Sequence, residues 1–270
     1  MKQVRAKKNL GQHFLTDELT ASRIADTVDV CPDLPVLEVG PGMGMLTQYL
    51  IQKHRDLRVV EIDRESIPYL RERFPMLRDG IVEGDFLQLP LTTLFDGRPF
   101  LLTGNYPYNI SSQIFFCLLD HRDLIPCCTG MVQKEVAERL TAGPGSKAYG
   151  ILSVLLSAWY DAEYLFTVPP TVFNPPPKVQ SAVIRFRRNG VTDLGCDFRL
   201  MKRIVKTTFG QRRKMMRVSL KSLLSQLSAE RNVQFSAEAF LTQPLLTHRP
   251  EQLSVEQFID LTNEVDRLVR

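Results

Sequence analysis

The 270-residue chain has no apolar run approaching the roughly 20 residues that a membrane-spanning helix needs. Its start, MKQVRAKKNLGQHFL, is basic but has no apolar core of the signal-peptide type. A cytoplasmic protein without a membrane contact is the expectation. Cysteine is scarce: Cys31, Cys117, Cys127, Cys128 and Cys196 are odd in number and show no CxxC spacing. That disfavours a disulfide framework and a zinc site, so no metal is expected and the thiols are expected to be buried. Internal repeats and low-complexity tracts are absent. What is present, 44% hydrophobic and 24% charged residues, suits an ordinary globular chain, long enough for one large domain and a small appendage.

Charge is unevenly spread. Residues 1–8 carry four basic and no acidic side chains, and residues 185–221 carry twelve basic and two acidic. The stretches 9–184 and 222–270 are net −7 and −3. Positive charge concentrated at one tip and in one block suggests a nucleic-acid contact surface on an acidic body; the alternative is a solvated helix face.

Periodicity gives alternating elements. Thr16 or Asp17 can cap a helix to about Val28. Apolar strands are expected at Pro35–Val39, Leu57–Ile62, Gly80–Glu83, Phe100–Thr103 and Cys127–Val132. Helices are expected at Gly44–Lys53, Glu65–Arg73, Ser111–Asp120, Glu135–Thr141 and Tyr149–Trp159. This alternation predicts an α/β fold with a mostly parallel sheet, and Ala162–Val168 and Ser181–Phe186 add an antiparallel hairpin at its edge. From about Asn189 the strand signal disappears, and Asp197–Thr208, Arg212–Leu227, Ala237–Leu241 and Val255–Val269 read as helices. The expected domains are therefore 1–189 and a small all-helical 190–270.

Glu38-Val39-Gly40-Pro41-Gly42-Met43-Gly44 follows a strand and opens a helix, as a nucleotide-binding turn does. Gly40 and Gly42 let the backbone bend and approach a ligand closely. Position 45 is Met, so the G-x-G-x-x-G fingerprint of nicotinamide enzymes is not met. Glu61, about 20 residues on, fits the place of a ribose-holding carboxylate; Asp63 reads as a helix cap. Asp85 can accept from an adenine amino group with Phe86 against the ring, or cap the next segment.

Thr103-Gly104-Asn105-Tyr106-Pro107-Tyr108-Asn109 is the most informative step. The Asn105 amide offers an oxygen to a planar amine, Pro107 keeps the following carbonyls out of a helix, and the Tyr108 ring can stack on a base. Those are the parts needed to methylate a nucleobase amino group.

In this order, the motifs resemble those of S-adenosylmethionine-dependent adenine methyltransferases. Asn9-Leu10-Gly11-Gln12-His13-Phe14-Leu15, Val172-Phe173-Asn174-Pro175-Pro176-Pro177-Lys178-Val179-Gln180-Ser181-Ala182-Val183 and Phe209-Gly210-Gln211-Arg212-Arg213-Lys214 narrow this. The chain is similar over essentially its whole length to the ribosomal RNA adenine dimethyltransferase family. The resemblance implies a Rossmann-like class I methyltransferase sheet and S-adenosyl-L-methionine as cofactor. It implies cofactor contacts at His13, Leu15, Gly40, Gly42, Glu61, Asp85 and Asn105. The expected substrate is two adjacent adenosines near the 3′ end of small-subunit ribosomal RNA, dimethylated by a monomer acting on the small ribosomal subunit. Position 13 is His where the family often has Asn, and position 106 is Tyr where Leu is usual, which is expected to alter the pocket wall.

In that scheme Asn105 and the Pro107 carbonyl accept from the amine, while Tyr108 and Phe173 stack on the flipped base. Phe173 read from the residues alone is a core aromatic. Lys7 and Lys8 in the N-terminal arm, with Arg203, Lys206, Arg212, Arg213 and Lys214, are expected to contact RNA phosphates. Large-subunit RNA, DNA and an assembly checkpoint that binds immature subunits are the competing readings.

Overall fold

The computed structural model describes residues 6, 7 and 10–270. Lys8, expected to contact RNA, lies outside the described residues, as do Lys2 and Arg5. Among the described residues nine strands form: β1 (Phe14–Leu15), β2 (Val36–Val39), β3 (Leu57–Glu61), β4 (Ile81–Glu83), β5 (Leu101–Thr103), β6 (Cys127–Gln133), β7 (Tyr160–Val168), β8 (Phe173–Asn174) and β9 (Ser181–Arg188). Seven of them make one sheet in the order β4-β3-β2-β5-β6-β9-β7. The five from β4 to β6 are parallel, and β9 runs antiparallel to β6. This is the expected α/β sheet with added strands at one edge. The helices are α1 (Glu18–Asp26), α2 (Thr47–Ile51), α3 (Ser66–Arg73), α4 (Ser111–Asp120), α5 (Lys134–Leu140), α6 (Ile151–Ser157), α7 (Phe198–Gly210), α8 (Met216–Arg231), α9 (Glu238–Leu241) and α10 (Val255–Leu268).

The central strands are covered on both faces, which is why β2 reads as an unbroken run with all four residues buried. Asp17 caps α1, its carboxylate accepting from the Thr20 amide at 2.8 Å and hydroxyl at 2.5 Å. A second sheet that periodicity does not announce pairs β1 with β8, setting Leu15 opposite Phe173. Two residues per strand are too few to show alternation. Cys127 and Cys128 are buried thiols as expected, whereas Cys31, Cys117 and Cys196 are only partly covered.

Two compact units form, one from residues up to 138 with 161–188, the other from 139–160 with 189–270. The linear reading kept 139–160 with the first domain; in the structure α6 packs on α7 and α10 in the second unit. There α7 buries Leu200, Met201, Ile204, Val205 and Thr208 along one stripe, facing α8 and α10. Helix α8 starts later than the expected Arg212. Gln211 ends α7 at φ −121°, a turn closes with the Lys214 amide donating to the Gln211 carbonyl at 2.8 Å, and extended Met215 starts the new helix. Arg212, Arg213 and Lys214 therefore sit on a turn. No helix of the described residues is long and apolar enough to cross a membrane.

The feature that positions the site is a continuation of the parallel ladder beyond β5. Met131 donates to the Gly104 carbonyl at 2.9 Å, Tyr106 donates to the Met131 carbonyl at 3.0 Å, and Asn105 bridges Met131. Gly130 permits this approach: its φ is +150°, and a Cβ there would stand 2.5 Å from the Gly104 oxygen and 2.6 Å from the Tyr106 ring. Gly130→Ala is expected to cost about 2 kcal/mol or more. In thermal melts this reads as a fall of roughly 4–8 °C.

Candidate active site

The ends of β2, β3 and β4 and the chain after β5 surround a cavity of about 200 Å³. Gly40 and Gly42, at φ +68° and +55°, turn the chain out of β2. A Cβ on Gly40 would meet nothing nearer than Pro107 at 3.8 Å, so that face of the turn is open to the cavity. The Gly42 amide donates to Glu61 Oε2 at 2.9 Å and the Asp63 amide to Oε1 at 2.8 Å. Glu61 is thus fixed at the tip of β3. Each oxygen keeps a further lone pair, enough to accept from a vicinal diol. Burial pushes the Glu61 carboxyl up, while the Asp63 and Gly42 amides pull it back.

Asp85 caps the segment after it, its Oδ1 accepting from the Leu87 amide at 3.0 Å, and it lines the cavity beside Phe86, which is buried. Asp63 caps the approach to α3, accepting from the Glu65 amide at 3.0 Å. Glu38, to which the sequence assigns no role, also lines the cavity. It is 1% exposed, and Thr47 donates to its Oε2 at 2.6 Å. Burial, reinforced by the nearby Glu61 charge and opposed by the Thr47 hydroxyl, pushes its carboxyl up to about 8. An acidic residue inside the apolar run Val36-Leu37-Glu38-Val39 was the available signal.

Across the cavity lies Asn105. Its Nδ2 donates to the His13 carbonyl at 3.0 Å, which fixes the amide and leaves Oδ1 as an acceptor. Pro107 lines the same cavity, and its carbonyl accepts from the Ile110 amide at 3.2 Å, with its second lone pair in hand. Tyr108 shares a hydrogen bond with Ser181 Oγ, and its ring lies 5.3 Å from the His13 ring at 31°. The His13 Nδ1 bonds the Pro175 carbonyl at 2.8 Å; since a carbonyl only accepts, Nδ1 carries the proton.

Tyr106 is among the residues lining the cavity, with its ring 1% exposed and turned toward β6, where its hydroxyl donates to the Thr129 carbonyl at 2.8 Å. Two expectations need correction here. Phe173 is absent from the cavity lining and is buried in the core, paired with Leu15, because β8 turns it inward. Leu15 is also in that core yet reaches the cavity. Several basic side chains are engaged within the protein. Lys7 bonds Asp63 at 2.7 Å and Glu65 at 3.0 Å. Arg203 forms a two-pronged pair with Glu230 at 2.7 and 2.9 Å. Arg212 donates to the Lys147 carbonyl at 2.8 Å. Lys206, Arg213 and Lys214 are exposed, as are Arg217 and Lys221 with Met215 and Val218 beside them.

Comparison with known proteins fits this geometry. The model of the family described as ribosomal RNA adenine dimethylase matches residues 3–266. The chain is 63% identical to the ribosomal RNA small subunit methyltransferase A of Phocaeicola vulgatus, over 99% of this chain and 92% of that protein. It is 62% identical to the protein of the same name from Bacteroides fragilis, over 100% and 96%. Among solved structures, a dimethyladenosine transferase from Plasmodium falciparum superposes with TM-score 0.79 at 25% identity, covering 94% of this chain and 98% of the other. The 23S rRNA methyltransferase ErmE does so with TM-score 0.63 at 27% identity, covering 93% and 99%. A match that runs from residue 3 to residue 266 takes in both compact units, and the chain belongs to the ribosomal RNA adenine dimethylase family.

Proposed function

We propose that the protein dimethylates the 6-amino groups of two adjacent adenosines near the 3′ end of small-subunit ribosomal RNA, using S-adenosyl-L-methionine. The small subunit is favoured because relatives at 62–63% identity bear that name, whereas the large-subunit enzyme stands at 27%. The cavity suits the cofactor by its donor set: Glu61 for ribose hydroxyls, Asp85 for the adenine amine, Ile62, Phe86 and Leu87 as apolar walls, and the turn left open at Gly40. When bound, the cofactor supplies an electrophilic methyl group.

The observation that carries the reading is the committed amide of Asn105. An adenine amine is a poor nucleophile because its lone pair is delocalised into the ring. In the first transfer Asn105 Oδ1 and the Pro107 carbonyl accept its two hydrogens, and in the second the one that remains is accepted, so that each time the nitrogen moves toward tetrahedral geometry and its lone pair is aimed. Orientation and fixed dipoles of this kind each supply several kcal/mol. The nitrogen would take the methyl as its bond to the cofactor's sulfur breaks, the electron pair staying on sulfur, and would then lose a proton to water, so no strong base is needed. The flipped base lies against Tyr108, whose ring His13 backs. Phosphates are held by Arg213, Lys214, Arg217 and Lys221, the exposed cations around the start of α8, with Met215 and Val218 supplying apolar contact.

Asn105→Ala is expected to lower kcat about 100- to 1000-fold. Affinity for S-adenosylhomocysteine should change much less, as titration calorimetry can check. An equal loss of cofactor affinity and turnover would mean that Asn105 holds the cofactor and does not aim the amine. Replacing Arg213 and Lys214 by Ala is expected to reduce the slope of log affinity for small subunits against log salt by about 1 per residue. Cofactor affinity should not change in that variant; an unchanged salt slope would remove this turn from the RNA contact.

A further inference from the structure

Residues 10–15 all line the cofactor cavity, and their attachments fall at its two ends. At the ribose end, Lys7 Nζ sits between Asp63 Oδ1 at 2.7 Å and Glu65 Oε1 at 3.0 Å. The Lys7 amide donates to Gln12 Oε1 at 2.8 Å, and Gln12 Nε2 donates to Asp63 Oδ2 at 3.4 Å. At the opposite end the His13 carbonyl holds the Asn105 amide at 3.0 Å, and β1 pairs with β8. Between them the Phe14 ring packs on the glycine turn so closely that a Cβ on Gly42 would lie 2.9 Å from it.

The ribose end is unusual in its electrostatics. The Asp63 side chain is 0% exposed, and a buried carboxylate needs a counter-charge. Lys7 supplies it while itself only 33% exposed, where an arm reserved for phosphates would keep its ammonium in solvent. Asp63 in turn uses its own backbone amide to fix Glu61 Oε1 at 2.8 Å. One short chain of bonds thus runs from Lys7 through Asp63 to the carboxylate assigned to the ribose, and a second runs from the same segment to Asn105.

We infer that the Lys7, Asp63 and Glu65 cluster is a latch that holds residues 10–15 over the cofactor cavity and, through the His13 carbonyl, keeps the Asn105 amide aimed. Lys7 and Asp63 are then positioning residues, and Lys7 leaves the set of RNA contacts. The latch rests on the reading of the cavity as a cofactor site.

The test uses Lys7→Met, Lys7→Arg and Asp63→Asn in the full chain, with S-adenosylhomocysteine as the probe. Lys7→Met and Asp63→Asn are each expected to weaken its binding about tenfold. Lys7→Arg keeps the charge and is expected to retain most of the affinity. Hydrogen exchange at the Phe14 and Leu15 amides, measured without any ligand, should quicken in the first two variants and not in the third. Affinity for small subunits without cofactor should stay within about twofold throughout, since a surface phosphate contact would be lost only with the lysine. Unchanged probe affinity and exchange in Lys7→Met, or lost subunit binding with intact probe affinity, overturns the latch. If the wild-type chain does not bind the probe, the cofactor reading falls on its own, and the exchange measurement still decides whether the latch exists.

Discussion

An amide side chain can face a substrate amine in two ways, and only one of them is useful. In this protein the hydrogen bond from Asn105 Nδ2 to the His13 carbonyl makes the choice, and most of the site is built around keeping it. The backbone of Asn105 is welded to β6 through Met131, so the loop cannot slide along the sheet. Gly130 removes the side chain that would push it away, and the Tyr106 hydroxyl pins it from beneath at the Thr129 carbonyl. The Tyr106 hydroxyl thus gives this loop an anchor on the core side.

The cofactor half follows the same economy of backbone. Glu61 is held by two amides, from Gly42 and Asp63, and needs no side-chain partner to keep its place. Glu38 stands behind it as a second buried carboxyl, with its proton affinity raised by burial and by the Glu61 charge. The N-terminal segment lines the opposite side, so a single short stretch of chain touches both Asp63, which holds Glu61, and the Asn105 amide.

Much of this was legible in the sequence. The strand and helix alternation, the glycine turn, Glu61, Asp85 and Asn105 all lie where period and spacing put them, because parallel strands buried on both faces leave strong apolar runs and the ligand turns sit at their ends. What could not be read were pairings between distant short segments. The β1–β8 pair joins residues about 160 apart in sequence with two residues per strand, and it decides that Phe173 packs inward. Charge counts likewise identified basic stretches without telling which cations stay exposed and which meet Glu230, Asp63 or a loop carbonyl. The start of α8 was placed too early because Arg212, Arg213 and Lys214 have good helix propensity, while the extended backbone at Met215 has no sequence mark.

The central claim is that this cavity and this amide together methylate the amine of adenosines in small-subunit RNA. The most direct measurement is transfer of labelled methyl groups from S-adenosyl-L-methionine to under-methylated small subunits, followed by mapping of the modified nucleosides. Dimethyladenosine at two adjacent positions near the 3′ end is the predicted result. Label on large-subunit RNA, on another position of the base, or on no nucleoside at all would contradict it.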